Sequence, residues 1–223
     1  MSEGNLNSEH QSKGWFRALK EQYSPHRQQA GEILKSAGLE PDTSVFKKAR
    51  YKFGRALLKK QEEGEIDSVT GLLNRNGFER RLSEEAERAK RYGHKTTVIY
   101  LDANNLKLIN DTQGHEAGNK LIEDVGLAIR NSTRTIDIGA RIGGDEFAIV
   151  LPETEIEGAD SLWTERLDPS FTQGGISIAA GAAYLDPDAV KESLDRADKM
   201  LYQAKTRSKK EHKNIMLTDK RIG

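Results

Sequence analysis

Apolar positions recur along the chain in two rhythms, and the rhythm changes near residue 66. Over residues 14–64 the spacing is helical. Trp15, Leu19 and Tyr23 share a face until Ser24-Pro25 interrupts it. Ala30, Ile33, Leu34 and Ala37 predict a second helix closed by Gly38. The capping cluster Pro41-Asp42-Thr43-Ser44 opens a third, through Val45, Ala49, Phe53, Ala56 and Leu57. From Asp67 onward, helices alternate with strands. A helix is predicted over 74–92, with Phe78, Leu82, Ala86 and Ala89 on one face and Gly93 as its stop. The continuous apolar content of 96–101 predicts a strand buried on both faces. A helix over 116–131 turns Leu121, Val125, Ala128 and Ile129 inward. Strands at 138–142 and 147–151 flank Gly143-Gly144-Asp145-Glu146 as a hairpin. A strand at 176–184, a helix over 189–206 through Val190, Leu194, Ala197, Leu201 and Ala204, and a short strand at 214–217 complete the series. The order predicts an α/β (α+β) sandwich: a mixed sheet flanked by helices, preceded by an all-helical N-terminal segment.

Charge narrows the picture. The 35 Lys+Arg cancel the 35 Asp+Glu. A neutral chain lacks the basic excess that displaces counterions from long polyanions, so no nucleic-acid partner is expected. The zero hides a division, because residues 1–66 hold 12 basic and 9 acidic residues, a net +3, and the remainder is −3. The third predicted helix carries Lys47, Lys48, Arg50, Lys52, Arg55, Lys59 and Lys60 with no acid among them. That is either a solvated face or a contact surface for a partner or an anionic ligand. The chain has no cysteine, which excludes disulfides, thiolate zinc sites and a thiol nucleophile. No apolar run approaches the roughly 18–20 residues of a membrane span, and residues 1–15 have no apolar core of a secretory signal. A cytoplasmic, soluble protein is the expectation.

Two acidic points carry candidate chemistry. Asp102 ends a buried strand, and Asp145 and Glu146 follow the Gly-Gly pair. If the hairpin lies beside that strand, Asp102 and Asp145 come together. Close carboxylates repel unless a cation or proton lies between them, and a hard cation with oxygen ligands, Mg²⁺ above all, is the natural occupant. Adjacent strand residues face opposite ways, so Asp145 and Glu146 converge on one ion only if the turn distorts the pleat. Gly143 and Gly144 leave the turn bare for a ligand. The plainer alternative is a polar hairpin turn with Asp102 as a helix N-cap.

The run Arg-Ile-Gly-Gly-Asp-Glu-Phe at 141–147 resembles the signature of the GGDEF family of diguanylate cyclases. Other blocks extend the resemblance: Asp-Ser-Val-Thr-Gly-Leu-Leu-Asn-Arg-Asn-Gly-Phe at 67–78, Leu-Asp-Ala-Asn-Asn-Leu-Lys-Leu-Ile-Asn-Asp-Thr-Gln-Gly-His-Glu-Ala-Gly-Asn at 101–119, and Arg-Ala-Asp-Lys-Met-Leu-Tyr-Gln-Ala-Lys at 196–205. It covers residues 67–217 and implies a GGDEF catalytic domain over 67–223, behind a regulatory or dimerisation segment at 1–66. The implied fold is like that of nucleotidyl cyclases and polymerase palms. The implied reaction condenses two GTP into cyclic di-GMP and two pyrophosphates, in a homodimer whose half-sites face each other.

The resemblance also implies residue roles. Asp102, the Ala103 carbonyl and Asp145, supported by Glu146, would hold Mg²⁺ (or Mn²⁺), and Asp145 would accept the 3′-hydroxyl proton. Gly143 and Gly144 would lie along the nucleotide. Asn105, Leu106, Lys107, Lys205 and Lys209 would meet phosphates, and Asn110 and Asn119 would read the guanine. Arg134 and Asp137 match an R-x-x-D inhibitory site for the product; the alternative is an ordinary turn ion pair. Position 119 departs from the family's usual Asp or Glu. An amide offers one acceptor and two donors where a carboxylate accepts twice, which admits a relaxed cyclase that also takes ATP. Asn104 stands where Asp is common, Asn105-Leu106 replaces a pair that usually includes an aromatic, Lys209 replaces Arg, and the segment 152–175 is short. A non-catalytic module that binds cyclic di-GMP through Arg134 and Asp137 is a third possibility. A protein partner acting through residues 1–66 is a further expectation.

Overall fold

In the computed structural model, described residues are 64–221 together with 28, 30–35, 44 and 46–52. The chain divides into two units, residues 1–64 and 65–223. In the first, 30–35 and 46–52 are helical, as expected. Ala30 and Phe46 are buried there, whereas Ile33 is exposed. The predicted helix through Trp15, Leu19 and Tyr23, and Ala37, Val45, Phe53, Arg55, Ala56, Leu57, Lys59 and Lys60, lie outside the described residues.

The second unit is a five-stranded mixed sheet with helices on both faces. Its elements run α1 (Arg75–Tyr92), β1 (Thr97–Ala103), α2 (Leu106–Gln113), α3 (His115–Ser132), β2 (Ile138–Arg141), β3 (Glu146–Leu151), α4 (Ile156–Leu162), a π-helical turn (Trp163–Leu167), α5 (Asp168–Gln173), β4 (Ile178–Tyr184), α6 (Val190–Glu211) and β5 (Ile215–Asp219). Strand order is β2-β3-β1-β4-β5. β1 pairs antiparallel with both β3 and β4, and β5 runs parallel to β4.

Alternation along the strands sorts the core into two layers. Ile99, Leu101, Phe147, Ile149, Ile178 and Ala180 face Ile122, Val125 and Ile129 of α3 and the helical pieces between 156 and 173. Val98, Ala148, Val150 and Ala183 face Phe78, Leu82 and Ala86 of α1 and Ala197 of α6. α1 starts and stops where its sequence says. The Asn74 side chain accepts from the Gly77 N–H, and Gly93 takes φ 68° while its N–H closes on Ala89. On α3 the inward residue is Ile122, and Leu121 is only half-buried.

Two regions differ from the predicted order. α2 is an extra helix of only eight residues with Leu106 and Ile109 half-buried and none fully buried, too short a run for its amphipathic pattern to stand out. The segment 156–173 is helical throughout. Its buried Ile156, Ala159, Trp163, Leu167 and Phe171 form one stripe with spacings of three or four, which pattern reading could have found.

β4 reads Ile-Ala-Ala-Gly-Ala-Ala-Tyr, and every residue is buried. Its small side chains let α6 lie directly on the strand. A Cβ at Gly181 would stand 2.1 Å from the Leu201 nitrogen and 2.3 Å from the Ala197 oxygen. Both are helix backbone, which cannot swing aside. Gly181→Ala should therefore lift α6 and destabilise the protein by about 3 kcal/mol, the upper range for overpacking, as measured by urea unfolding.

Candidate active site

β1 builds the site. Six of its seven residues are buried, and its polar end lies at the sheet's rim. Asp102 stands opposite Glu146 of β3, so both side chains lie on the face covered by α1 and α6. From α6, Lys205 reaches across to place its ammonium 2.7 Å from the Asp102 carboxylate. One position further along, the Ala103 N–H donates to the Asp145 carbonyl at 2.9 Å, which holds the turn against the end of β1. The hairpin thus lies beside the strand, with Glu146 opposite Asp102 and the Asp145 charge also acting on it. Among the described residues, no three His, Cys, Asp or Glu side chains converge as a ready-made metal cage.

The carboxylates nonetheless act on one another. Burial pushes the Asp102 carboxyl pKa up; Lys205 pulls it down, and Asp145 and Glu146 push it up again, with a net rise. A buried carboxylate with two further carboxylates acting on it and one ammonium in contact fits a hard divalent ion.

The turn is held from three sides. The Ile142 and Gly143 N–H groups both donate to the Glu146 carbonyl, at 2.9 and 3.3 Å. Arg141 donates to the Gly143 carbonyl at 3.1 Å and the Gly144 carbonyl at 2.8 Å, and its Nη1 meets Asp67 at 3.3 Å. Arg75 donates to the Ile142 carbonyl. Burial alone would raise the Asp67 carboxyl pKa, but the Thr70 donors and Arg141 outweigh it and hold it low. The two glycines have separate reasons. A Cβ at Gly143 would lie 2.4 Å from Glu146 Oε2, whereas nothing stands within 4 Å of one at Gly144. The first glycine makes room for the acidic side chain, and the second leaves open space.

After β1 the chain turns through Asn105 at φ 68° into α2, where no side chain caps the first N–H groups of Leu106 and Lys107. These donors have no intrahelical acceptor. Asn105 and Lys107 are exposed and Leu106 is half-buried. Asn110 rests its amide on bare helix: a Cβ at Gly118 would meet Asn110 Oδ1 at 1.9 Å. Asn119, which is exposed, follows directly. Lys209 is exposed in the last turn of α6.

Arg134 and Asp137 sit at the far end of β3 from Glu146. Asp137 accepts from the Arg134 N–H at 2.7 Å and from its Nη2 at 2.7 Å, and Nη2 also donates to Thr154 Oγ1 at 2.9 Å. With Ser132, Thr154, Glu165 and Arg166 they line a cleft of about 250 Å³. Sequence reasoning assigned no role to Asp67, Arg75, Arg141 or Asn104. Arg141 stands beside the Gly-Gly pair, Asp67 and Arg75 lie in the block at 67–78, and Asn104 lies in the block at 101–119, but their contacts with Ile142, Arg141, Ser177 and Ser208 join distant parts of the chain.

The fold of this unit is that of solved GGDEF domains. That of DgcB from Caulobacter crescentus, in complex with c-di-GMP, superposes with a TM-score of 0.63 at 26% identity, over 70% of this chain and 93% of that one. The chain belongs to the GGDEF family: the profile described as "Diguanylate cyclase, GGDEF domain" matches residues 65–211. Diguanylate cyclase DgcS of Shewanella oneidensis is 38% identical over 147 residues, 63% of this chain and 49% of the relative. Diguanylate cyclase DgcP of Pseudomonas aeruginosa is 36% identical over 149 residues, 62% of this chain and 22% of the relative. The chain thus spans half or less of the length of these curated relatives. No helix among the described residues is long and apolar enough to cross a membrane.

The Asp102 shift has a direction that can be tested. A carboxyl whose pKa is raised on folding binds its proton more tightly in the native state. Its contribution to stability is therefore present at low pH and lost as pH rises from 3.8 through the raised value. Asp102→Asn should melt a few degrees higher than the wild type in chelator at pH 7, with the difference vanishing below pH 4. An unchanged or lower melting temperature at pH 7 would contradict the electrostatic account.

Proposed function

We propose that this chain is a diguanylate cyclase that condenses two GTP into cyclic di-GMP and releases two pyrophosphates. The observation that carries the reading is Asp102 set opposite Glu146 at the sheet rim, with Lys205 within ion-pair distance and the bare Gly143-Gly144 turn alongside. The relatives named as diguanylate cyclases support it.

Each residue then has a task. The uncapped N–H groups at Leu106 and Lys107, with Asn105 before them, accept the triphosphate, and Lys107, Lys205 and Lys209 neutralise it. Asn110 and Asn119 read the base. Asp102, the Ala103 carbonyl, Asp145 and Glu146 would hold Mg²⁺ or Mn²⁺. Bound there, such an ion supplies charge neutralisation at the α-phosphate and a lower pKa for the 3′-hydroxyl. Asp145 takes the 3′-hydroxyl proton; the freed oxygen bonds to the α-phosphorus of the second GTP as the bond to pyrophosphate breaks. One domain offers one base-reading pair, so the two-fold product calls for two domains facing each other in a homodimer. Residues 1–66, nearly all of them ahead of the family match, are assigned to dimerisation and regulation, by contact with a partner protein or with each other. Product would bind at Arg134 and Asp137, where it must replace their mutual ion pair, and would inhibit from there.

Asn119 favours a second reading of the base preference. Its amide cannot accept from both guanine N1–H and N2–H, so ATP becomes an admissible second substrate and cyclic GMP–AMP an admissible product.

Incubation with GTP and Mg²⁺ should yield cyclic di-GMP by chromatography and mass spectrometry. Chelator should abolish it, and Asp145→Ala should cut the rate by about 10²–10⁴-fold, the scale of a lost general base. A chain inert at every concentration sinks the proposal, and dinucleotide binding without turnover would make it a sensing module. In an equimolar GTP and ATP mixture, the ratio of the two products decides the base preference, and Asn119→Asp should shift it toward cyclic di-GMP. Arg134→Ala should raise the product level at which synthesis stalls by about tenfold, the value of one lost charged contact.

A further inference from the structure

Asn104 is a polar side chain buried directly behind the site, and none of the chemistry above uses it. It follows Ala103 at the end of β1 and is 8% exposed. Its Nδ2 donates to Ser177 Oγ at 3.1 Å and to Ser208 Oγ at 3.3 Å, and its backbone N–H donates to the Ser177 carbonyl at 2.8 Å. Three elements therefore meet at one carboxamide: the end of β1, the approach to β4, and the last turns of α6.

The chemistry of position 104 is constrained. Ser208 is buried, and its hydroxyl donates to the Lys213 carbonyl at 2.7 Å. A hydroxyl has a single proton to give. With that proton committed, Ser208 can only accept from residue 104, so this position needs a donor. A carboxamide supplies one and a carboxylate of the same shape does not.

The contact also has leverage on the site. Ser208 lies three residues after Lys205, so the two share a face of α6. The end of this helix is otherwise polar and exposed at Thr206, Arg207, Lys209, Lys210 and Glu211. Helix ends of this kind fray unless something ties them. The lysine stem is long and flexible, and its ammonium stays beside Asp102 only while its turn of helix is held.

We propose that Asn104 is a positioning residue for the triphosphate site: it ties the last turns of α6 to the end of β1 and so sets where Lys205 stands. This rests on the reading of Lys205 as a phosphate-binding group. A double-mutant cycle separates the two claims, with affinity for a non-hydrolysable GTP analogue in Mg²⁺ measured by calorimetry on the full chain. Asn104→Asp should weaken binding about tenfold in the wild-type background, the size of one charge-assisted contact, and less than about twofold in a Lys205→Met background. Ser208→Ala probes the same tie from the other side; its loss should likewise shrink when Lys205 is absent, and it serves as the probe should Asn104→Asp not fold. Equal losses in both lysine backgrounds, or none in either, overturn the positioning role. No loss from Lys205→Met alone overturns the phosphate role of the lysine and this proposal with it. Absence of binding by the wild type overturns the cyclase reading as well.

Discussion

The site depends on one constraint: a strand paired on both sides and buried on both faces must end in an anion. β1 meets the first half through its two antiparallel neighbours, which satisfy its backbone groups and leave apolar side chains inside. The second half is electrostatically unfavourable. Burial and two nearby carboxylates oppose the charge on Asp102, and one ammonium favours it. Lys205 is about one-third exposed, so solvent screens its pull, and the opposing influences win. The resting site is thus an acidic centre short of positive charge, which on the proposed reading a divalent cation relieves when it enters with the triphosphate.

Where that ammonium stands is decided by packing far from the rim. Ala179, Gly181 and Ala183 on β4 and Ala197 and Ala204 on α6 keep helix and strand in backbone contact. Alanine and glycine are poor strand formers by local preference. They serve here because close approach of a helix outweighs propensity. The same approach carries Lys205 and Ser208 to the end of β1, where Asp102 meets the lysine and Asn104 the serine. The turn bearing Asp145 is held in a comparable way, by Arg141 and Arg75 arriving from different parts of the chain.

Much of the fold was legible. Continuous apolar runs predicted the central strands, helical spacing predicted α1, α3 and α6, and the Gly-Gly pair marked the hairpin between β2 and β3. The two omissions have different reasons. α2 is eight residues long with only Leu106, Ile109 and Asn110 half-buried, too short for its period to stand out. The stripe from Ile156 to Phe171 is present in the sequence at spacings of three and four, but it is sparse among polar residues and runs through a π-helical turn.

By itself the sequence determined the alternation of elements, the carboxylate at the end of a buried strand and the family to which the chain belongs, because periodicity and ordered motifs are local properties. Only the tertiary structure decided which carboxylate faces Asp102, which lysine neutralises it and what holds that lysine. Glu146 takes the shared face because register and pleat parity are set by strand pairing. Lys205 and Asn104 come within reach through contacts between residues about a hundred positions apart, a separation across which no local pattern carries information.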